Sequence, residues 1–273
     1  MSHDMTIGFV GAGSIGEPML ERLLTAGHRV RAYARRPEVR ARLAAAGAEL
    51  VDRPPDIADS DAVVSCLFSD AQVLDVLPGV VAAMDAHAVL VSHTTGLPAT
   101  LRRLDEASPT GRAAIVDAAF SGTAQAVRDG RLTVYLGGEP EHVATARHIV
   151  SAYADPVLAT GARGSALQVK LLNNLLFAGV TQLTLRGLQA GRAMGVDEDT
   201  LLAALAVSSG GSTAARYIAA RGGTERYVAA VAPYLRKDLA ACAEAAAVAG
   251  LEMAELLAAA REGPMDLGGG ATG

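Results

Sequence analysis

Ile7-Gly8-Phe9-Val10-Gly11-Ala12-Gly13-Ser14-Ile15-Gly16 is the stretch that decides the fold of this chain. An apolar, strand-like run stops at Gly11 and a helical pattern opens by Met19, so the glycines fall on a strand-to-helix turn. In that setting each glycine has a use. Gly11 permits the tight turn, Gly13 lets backbone N–H groups approach a pyrophosphate, and Gly16 lets helix and strand pack closely. The helix N-terminus adds partial positive charge for the phosphates. Gly11, Gly13, Ser14, Ile15 and Gly16 are therefore the expected dinucleotide-binding loop.

Beyond the loop, short β-branched runs at 7–10, 30–33, 62–67, 88–91, 114–117 and 133–136 alternate with alanine-rich helical stretches at 18–26, 38–46, 71–83, 98–107 and 139–151. Such alternation predicts an α/β Rossmann fold with a doubly wound parallel sheet. Past residue 161 the strand pattern ends. One long helix is expected over 165–194, followed by helices at 197–206, 213–220, 225–235 and 237–249. The organisation read from these patterns is a Rossmann domain at 1–162, then an all-α domain at 163–262 entered by the long interdomain helix. A glycine-rich, disordered tail is expected at 263–273.

The 273 residues, 51% of them hydrophobic, suffice for two cores. A net charge of -5 without a long Lys/Arg run argues against a nucleic-acid partner. The first strand begins close to Met1, so no signal peptide is expected, and no apolar run reaches the ~18 residues of a membrane span. Cys66 and Cys242 form neither a CxxC pair nor a disulfide framework, so a cytoplasmic setting is expected. No metal centre is expected.

The end of the second strand distinguishes the two dinucleotides. An NAD site places Asp or Glu about 20 residues past the loop, where it holds the ribose hydroxyls. This chain has Ala34-Arg35-Arg36-Pro37 instead. Two guanidinium groups pair with a 2′-phosphate that an acid would repel, so Arg35 and Arg36 point to NADP(H). Leu67, closing the run at 62–67, is also counted on the cofactor side.

In the long helix Lys170 and Asn174 are four residues apart and so share a face. Their surroundings are apolar: Leu167, Val169, Leu171, Leu172, Leu175, Leu176 and Phe177. A Lys followed by two Asn in such a stretch needs partners or a cleft. Lys can move a proton to or from an alcohol or carbonyl oxygen, and a nearby amide can orient it.

These segments together resemble the β-hydroxyacid dehydrogenase family, which includes 3-hydroxyisobutyrate dehydrogenase, tartronate semialdehyde reductase and the glyoxylate/succinic semialdehyde reductases. Residues 8–19 are similar to its G-F-I-G-L-G-x-M-G-x-P-M signature. Ser92-His93-Thr94-Thr95 resembles D-x-S-T, and Asp117-Ala118-Ala119-Phe120-Ser121-Gly122-Thr123 resembles the substrate loop D-A-P-V-S-G-G. Gly161-Ala162-Arg163-Gly164 followed by Lys170-Leu171-Leu172-Asn173-Asn174 looks like G-x-x-G and K-x-x-N-N, and Lys237-Asp238-Leu239 matches K-D-L.

The resemblance implies hydride transfer between nicotinamide and a small 3-hydroxy acid or its semialdehyde or 2-oxo acid partner. Lys170 would be the general acid/base and Asn174 would fix the geometry. Ser121, Gly122 and Thr123 would hold the substrate carboxylate, while Thr95 and Lys237 would lie on the cofactor side. It also implies a homodimer or homotetramer. Four positions depart from the pattern: Thr123 replaces a glycine, Ala119-Phe120 replace Pro-Val, and Ser92 stands where Asp is frequent. His93 reads as a cleft residue or as a hydrogen-bonded structural group. Two other functions remain open at this point, an imine reductase-like enzyme and a non-catalytic NADP-binding regulator.

Overall fold

The structure is a computed structural model that describes residues 5–108 and 114–268. It divides into two compact units, Met1–Lys170 and Leu171–Gly273.

In the first unit, β1 (Thr6–Val10), α1 (Gly16–Thr25), β2 (Arg29–Tyr33), α2 (Pro37–Ala45) and β3 (Glu49–Leu50) lead through a 3-10 turn at Pro54–Ala58 to β4 (Ala62–Ser65). There follow α3 (Asp70–Ala83), β5 (Val89–Ser92), α4 (Pro98–Ala107) and β6 (Ala114–Asp117). Then come β7 (Phe120–Ser121), α5 (Ala124–Arg128), β8 (Leu132–Gly137), α6 (Pro140–Val150) and β9 (Ala154–Gly161). The sheet runs β3-β2-β1-β4-β5-β6-β8-β7, with β9 beside β8. Chain order reverses between β1 and β4, which creates a crevice at their carboxyl ends where such folds bind ligands.

The central strands are apolar throughout because both faces of the sheet are covered. The pleat sends Ile7, Phe9, Ala62, Val64, Val89, Val91 and Val116 into one core with Met19, Leu20 and Leu23 of α1. Val10, Val63, Leu90 and Ile115 go to the other face, against Val73, Leu77 and Val80 of α3.

The sheet is mainly parallel, but β8 pairs antiparallel with β6 and β7. β9 had no counterpart among the expected strands. It is largely exposed and carries Asp155-Pro156, so it lacks the alternation that marks a half-buried strand. The two-residue strands β3 and β7 are too short to generate any periodicity.

The second unit is helical. α7 (Ser165–Ala193) enters it and α8 (Glu198–Ala206), α9 (Thr213–Ala220), α10 (Thr224–Ala249) and α11 (Ala254–Arg261) follow. Its core gathers Leu171, Leu175, Leu185, Leu188, Leu202, Ile218, Tyr227, Leu235 and Leu239.

Two expectations change here. The helices expected at 225–235 and 237–249 are a single helix that carries Pro233 inside it. Burial of Tyr227, Ala232, Leu235, Leu239, Cys242 and Ala246 along one side outweighs the backbone hydrogen bond that proline forgoes.

The tail expected from 263 is packed as far as it is described. Met265 and Leu267 are buried, and Gln182 is the clamp. Its Nε2 donates to the carbonyls of Arg261 (3.2 Å) and Met265 (2.7 Å), and its Oε1 accepts from the Met265 N–H (3.0 Å). Two apolar side chains in a glycine-rich stretch were too sparse to register. Residues 269–273 lie outside the described residues. Among the described residues, no helix is long and apolar enough to cross a membrane.

Candidate functional site

The glycine loop sits at the β1/β4 reversal. Gly11 has φ +97°, and a Cβ there would stand 2.3 Å from the carbonyl oxygen of Cys66 at the end of β4. A Cβ on Gly16 would stand 2.0 Å from the oxygen of Gly11. Both positions need glycine because backbone crosses backbone. Gly13 is different: it is exposed, and a Cβ would meet nothing within 4 Å, so its face of the loop is open. The loop closes on itself through Gly13 N–H to Gly11 O (2.8 Å) and Glu17 N–H to Gly13 O (3.0 Å).

No side chain caps α1, since its N-cap residue is Ile15. The positive end of that helix therefore faces an open cradle with Ser14 exposed beside it, which fits the pyrophosphate of a dinucleotide.

Glu17 in the first turn of α1 would oppose an anion there, but it is engaged elsewhere. Arg42 of α2 grips its carboxylate with Nε at 2.6 Å and Nη2 at 2.8 Å. Those hydrogen bonds hold the Glu17 carboxyl below its ordinary range. Arg35 and Arg36 lie exposed where β2 gives way to α2, and Arg36 makes a 3.6 Å pair with Glu38.

On the other side of the crevice, the Leu67 carbonyl accepts from Thr94 Oγ1 at 3.0 Å. Thr95 follows half-buried, and the next turn is seated on Asp70, which accepts the Leu97 N–H at 3.1 Å.

His93 is a structural group. It is fully buried, with Nδ1 2.5 Å from the Ala118 carbonyl and Nε2 2.8 Å from the Tyr153 hydroxyl. A carbonyl can only accept, so Nδ1 carries the proton and Nε2 accepts from Tyr153. Burial lowers its pKa to about 4. Between about pH 6.5 and 4 the unfolded chain therefore takes up a proton that the folded chain refuses. His93 thus contributes stability that is complete above 6.5 and is lost as pH falls toward 4, by about 3 kcal/mol across the full window. Urea unfolding over that range should show a flatter pH dependence for His93→Gln than for the parent. Parallel slopes would mean that His93 titrates alike in both states.

In the loop expected to hold a carboxylate, Ser121 is half-buried at the end of β7 and Gly122 has φ +144°. A Cβ on Gly122 would press on Leu132 Cδ1 at 2.8 Å. Thr123, the departure from glycine, is exposed and its Oγ1 accepts the Ala126 N–H at 3.3 Å, capping α5. That cap uses one of the acceptor sites of its hydroxyl.

Asp117, at the end of β6, is fully buried and accepts the N–H groups of Gly164 (2.7 Å) and Leu167 (3.0 Å) at the start of α7. Burial pushes its carboxyl up from the ordinary range, and those N–H groups draw it back. Lys170 is half-buried one turn further along the same helix.

In the second unit, Asn174 and Lys237 meet on Asp238. Asn174 Nδ2 donates to Oδ2 at 2.5 Å, and Lys237 Nζ stands 3.2 Å from Oδ1. Asn173 Nδ2 completes the chain by donating to Asn174 Oδ1 at 3.0 Å. Sequence reasoning selected Asn174 and Lys237 but not the carboxylate that joins them. Asp238 lies on the buried stripe of α10 beside Leu235, Leu239 and Cys242, and a charge on such a stripe was the available signal. Among the described residues no group of three or more His, Cys, Asp or Glu could hold a metal ion.

Two family models cover nearly the whole chain. Residues 6–161 match the NAD-binding domain of 6-phosphogluconate dehydrogenase, and residues 164–263 match the NAD-binding model of NADP-dependent 3-hydroxyisobutyrate dehydrogenase. The chain belongs to the β-hydroxyacid dehydrogenase family.

Members of this family are oxidoreductases. An uncharacterized oxidoreductase of Shewanella frigidimarina is 31% identical over 70% of this chain and 67% of its own length. The mitochondrial 3-hydroxyisobutyrate dehydrogenase of Rattus norvegicus is 28% identical over 77% of this chain and 64% of its own. The chain thus spans about two thirds of the curated relatives it matches. Among solved structures, a Mycobacterium tuberculosis 3-hydroxyisobutyrate dehydrogenase with L-serine superposes with a TM-score of 0.83 at 23% identity. It covers 94% of this chain and 91% of its own, and so shares the fold of this dehydrogenase family.

Proposed function

We propose that this chain is an NADP-dependent oxidoreductase that interconverts a small 3-hydroxy acid with its semialdehyde or 2-oxo acid partner. The observation that carries the reading is the open glycine cradle at Gly13, against the uncapped start of α1 and at the reversal of the sheet. The bound nicotinamide supplies the hydride acceptor or donor.

The chain's own residues do the rest. Lys170 takes the proton from the substrate hydroxyl in oxidation and returns it to the carbonyl oxygen in reduction. Asn174, its amide held by Asp238, fixes geometry on the face that Lys170 shares. Ser121 and the backbone N–H groups around Gly122 and Thr123 grip the substrate carboxylate. Leu67, Thr95 and Lys237 line the cofactor side, and Arg35 and Arg36 bind the 2′-phosphate. Domain limits at 162/163 and a cytoplasmic setting complete the reading, the latter supported by two free thiols.

Self-association into a homodimer or homotetramer is part of the proposal. Leu172, Leu176, Val180 and Leu183 form an exposed stripe on α7 within a run, 171–185, that contains no charged residue. A second copy of the same helix is its natural cover. Light scattering that reads a monomer at micromolar concentration would remove this part.

The deciding experiment is NADPH oxidation with glyoxylate, succinic semialdehyde, methylmalonate semialdehyde and tartronate semialdehyde, with a cyclic imine alongside. Turnover of at least one acid is expected. Turnover of the imine alone would make the chain an imine reductase, and NADPH binding without turnover of any compound would favour a regulator.

A further inference from the structure

The start of α7 is tied to the sheet more elaborately than a helix end requires. Each oxygen of the Asp117 carboxylate takes one of the N–H groups that the first turn leaves unpaired, Gly164 on Oδ1 and Leu167 on Oδ2. The cap comes from a strand far back in the sequence, whereas an ordinary N-cap comes from the residue beside its own helix. The carboxylate is fully buried and is held by backbone N–H groups, where a neutral side chain would carry a smaller desolvation cost.

Two further ties flank it. Thr160 Oγ1 lies 2.7 Å from Ser165 Oγ while donating to the Leu136 carbonyl, and Arg163 binds Asp105 of α4 through both Nη atoms. Gly137 on β8 is empty for the same reason: a Cβ there would sit 2.6 Å from Asp117 Oδ1 and 2.8 Å from Ser165 Oγ. Ala166 and Leu167 complete the anchorage by burial in the core on the α3 side of the sheet.

Three residues after Leu167 comes Lys170, about 4.5 Å further along the helix axis. We infer that Asp117 is a positioning residue, whose buried carboxylate fixes the first turn of α7 to the end of β6 and so sets where Lys170 is presented. The inference rests on the proton-transfer role proposed above for Lys170. A displacement of about 1 Å in a group that moves a proton costs on the order of 10²-fold in rate, so rigidity at this one turn has kinetic value.

Two variants test it. Asp117→Asn keeps shape and one acceptor but loses the charge and the second acceptor. Gly137→Ala leaves Asp117 in place but crowds its carboxylate and the Ser165 hydroxyl together. In the unliganded protein, amides 164–170 should exchange about 10-fold faster in both variants, with β1 and α1 unchanged. With NADPH and an accepted substrate, kcat should fall roughly 10–100-fold while the KM for NADPH stays within about 2-fold, and the isotope effect with deuterated NADPH should rise.

Unchanged exchange at 164–170 would overturn the anchor. Faster exchange with undiminished kcat would overturn the positioning role, and so would a loss of kcat that tracks exchange throughout the unit. Absence of turnover in the parent chain would instead strike the functional reading, while the exchange experiment still reports on the anchor.

Discussion

Replacing Lys170 by alanine should lower turnover by ~10²–10⁴-fold while leaving NADPH affinity largely unchanged. The size follows from what is removed. Hydride transfer moves charge onto or off the substrate oxygen, and without a proton carrier that charge must be met by water. The selectivity follows from position. Lys170 is on α7, whereas the cradle for the dinucleotide is built from β1, α1 and the end of β4. Cofactor binding followed by quenching or enhancement of NADPH fluorescence separates the two effects. A Lys170→Ala protein with normal turnover would exclude Lys170 from the chemistry, and one that no longer binds NADPH would place it in the cofactor site instead. Lys170→Arg is a sharper control, since it keeps the charge but holds its proton too tightly to exchange it.

The second large effect concerns cofactor choice. Arg35→Ala combined with Arg36→Ala should raise the KM for NADPH by roughly 10–100-fold, with the KM for NADH changed little, because only NADPH carries the 2′-phosphate. Both side chains are exposed at the end of β2, and the 3.6 Å contact of Arg36 with Glu38 is a surface pair of the kind that yields readily to a better anion. The parent's preference for NADPH should also shrink as salt rises, because exposed charges are screened over about 10 Å at 0.1 M. A parent enzyme that prefers NADH, or a double variant with an unaltered ratio of the two KM values, would refute the assignment. Arg42 makes a useful contrast. Its bidentate grip on Glu17 keeps a negative charge occupied beside the helix start, so its loss should weaken both cofactors alike.

How much of this could be read from residues alone depended on range. The glycine turn was legible because strand, glycines and helix follow one another directly: Gly16 is required where backbone passes the Gly11 carbonyl five residues earlier, although Gly11 itself makes room for the distant Cys66 carbonyl. The central strands were legible because burial on both faces leaves unbroken runs such as 62–65 and 89–92. β9 was not, since an exposed edge strand imposes no pattern on its side chains. The break expected at 236 was misplaced because packing along one side of α10, with Leu235 and Leu239 both buried, carries the helix through it. Asp117 and Asp238 were quoted within motifs, yet their partners lie 47 and 64 residues away, a distance over which spacing carries no information. His93 was left open between two roles, and a single distant hydroxyl, that of Tyr153, decides it.

The Gln182 clamp has a consequence for the order in which the chain acquires its shape. One amide in α7 waits for carbonyls and an N–H group up to 83 residues downstream, and Met265 and Leu267 belong to the same core. During synthesis the first unit has all its strands long before the second has its last two core side chains. The helical unit can therefore close only once residues 265–267 have been made, and its contacts span the separations that slow folding. A chain ending at Glu262 would leave a buried amide without two of its three hydrogen bonds, so residues 263–267 act as the latch of the helical unit.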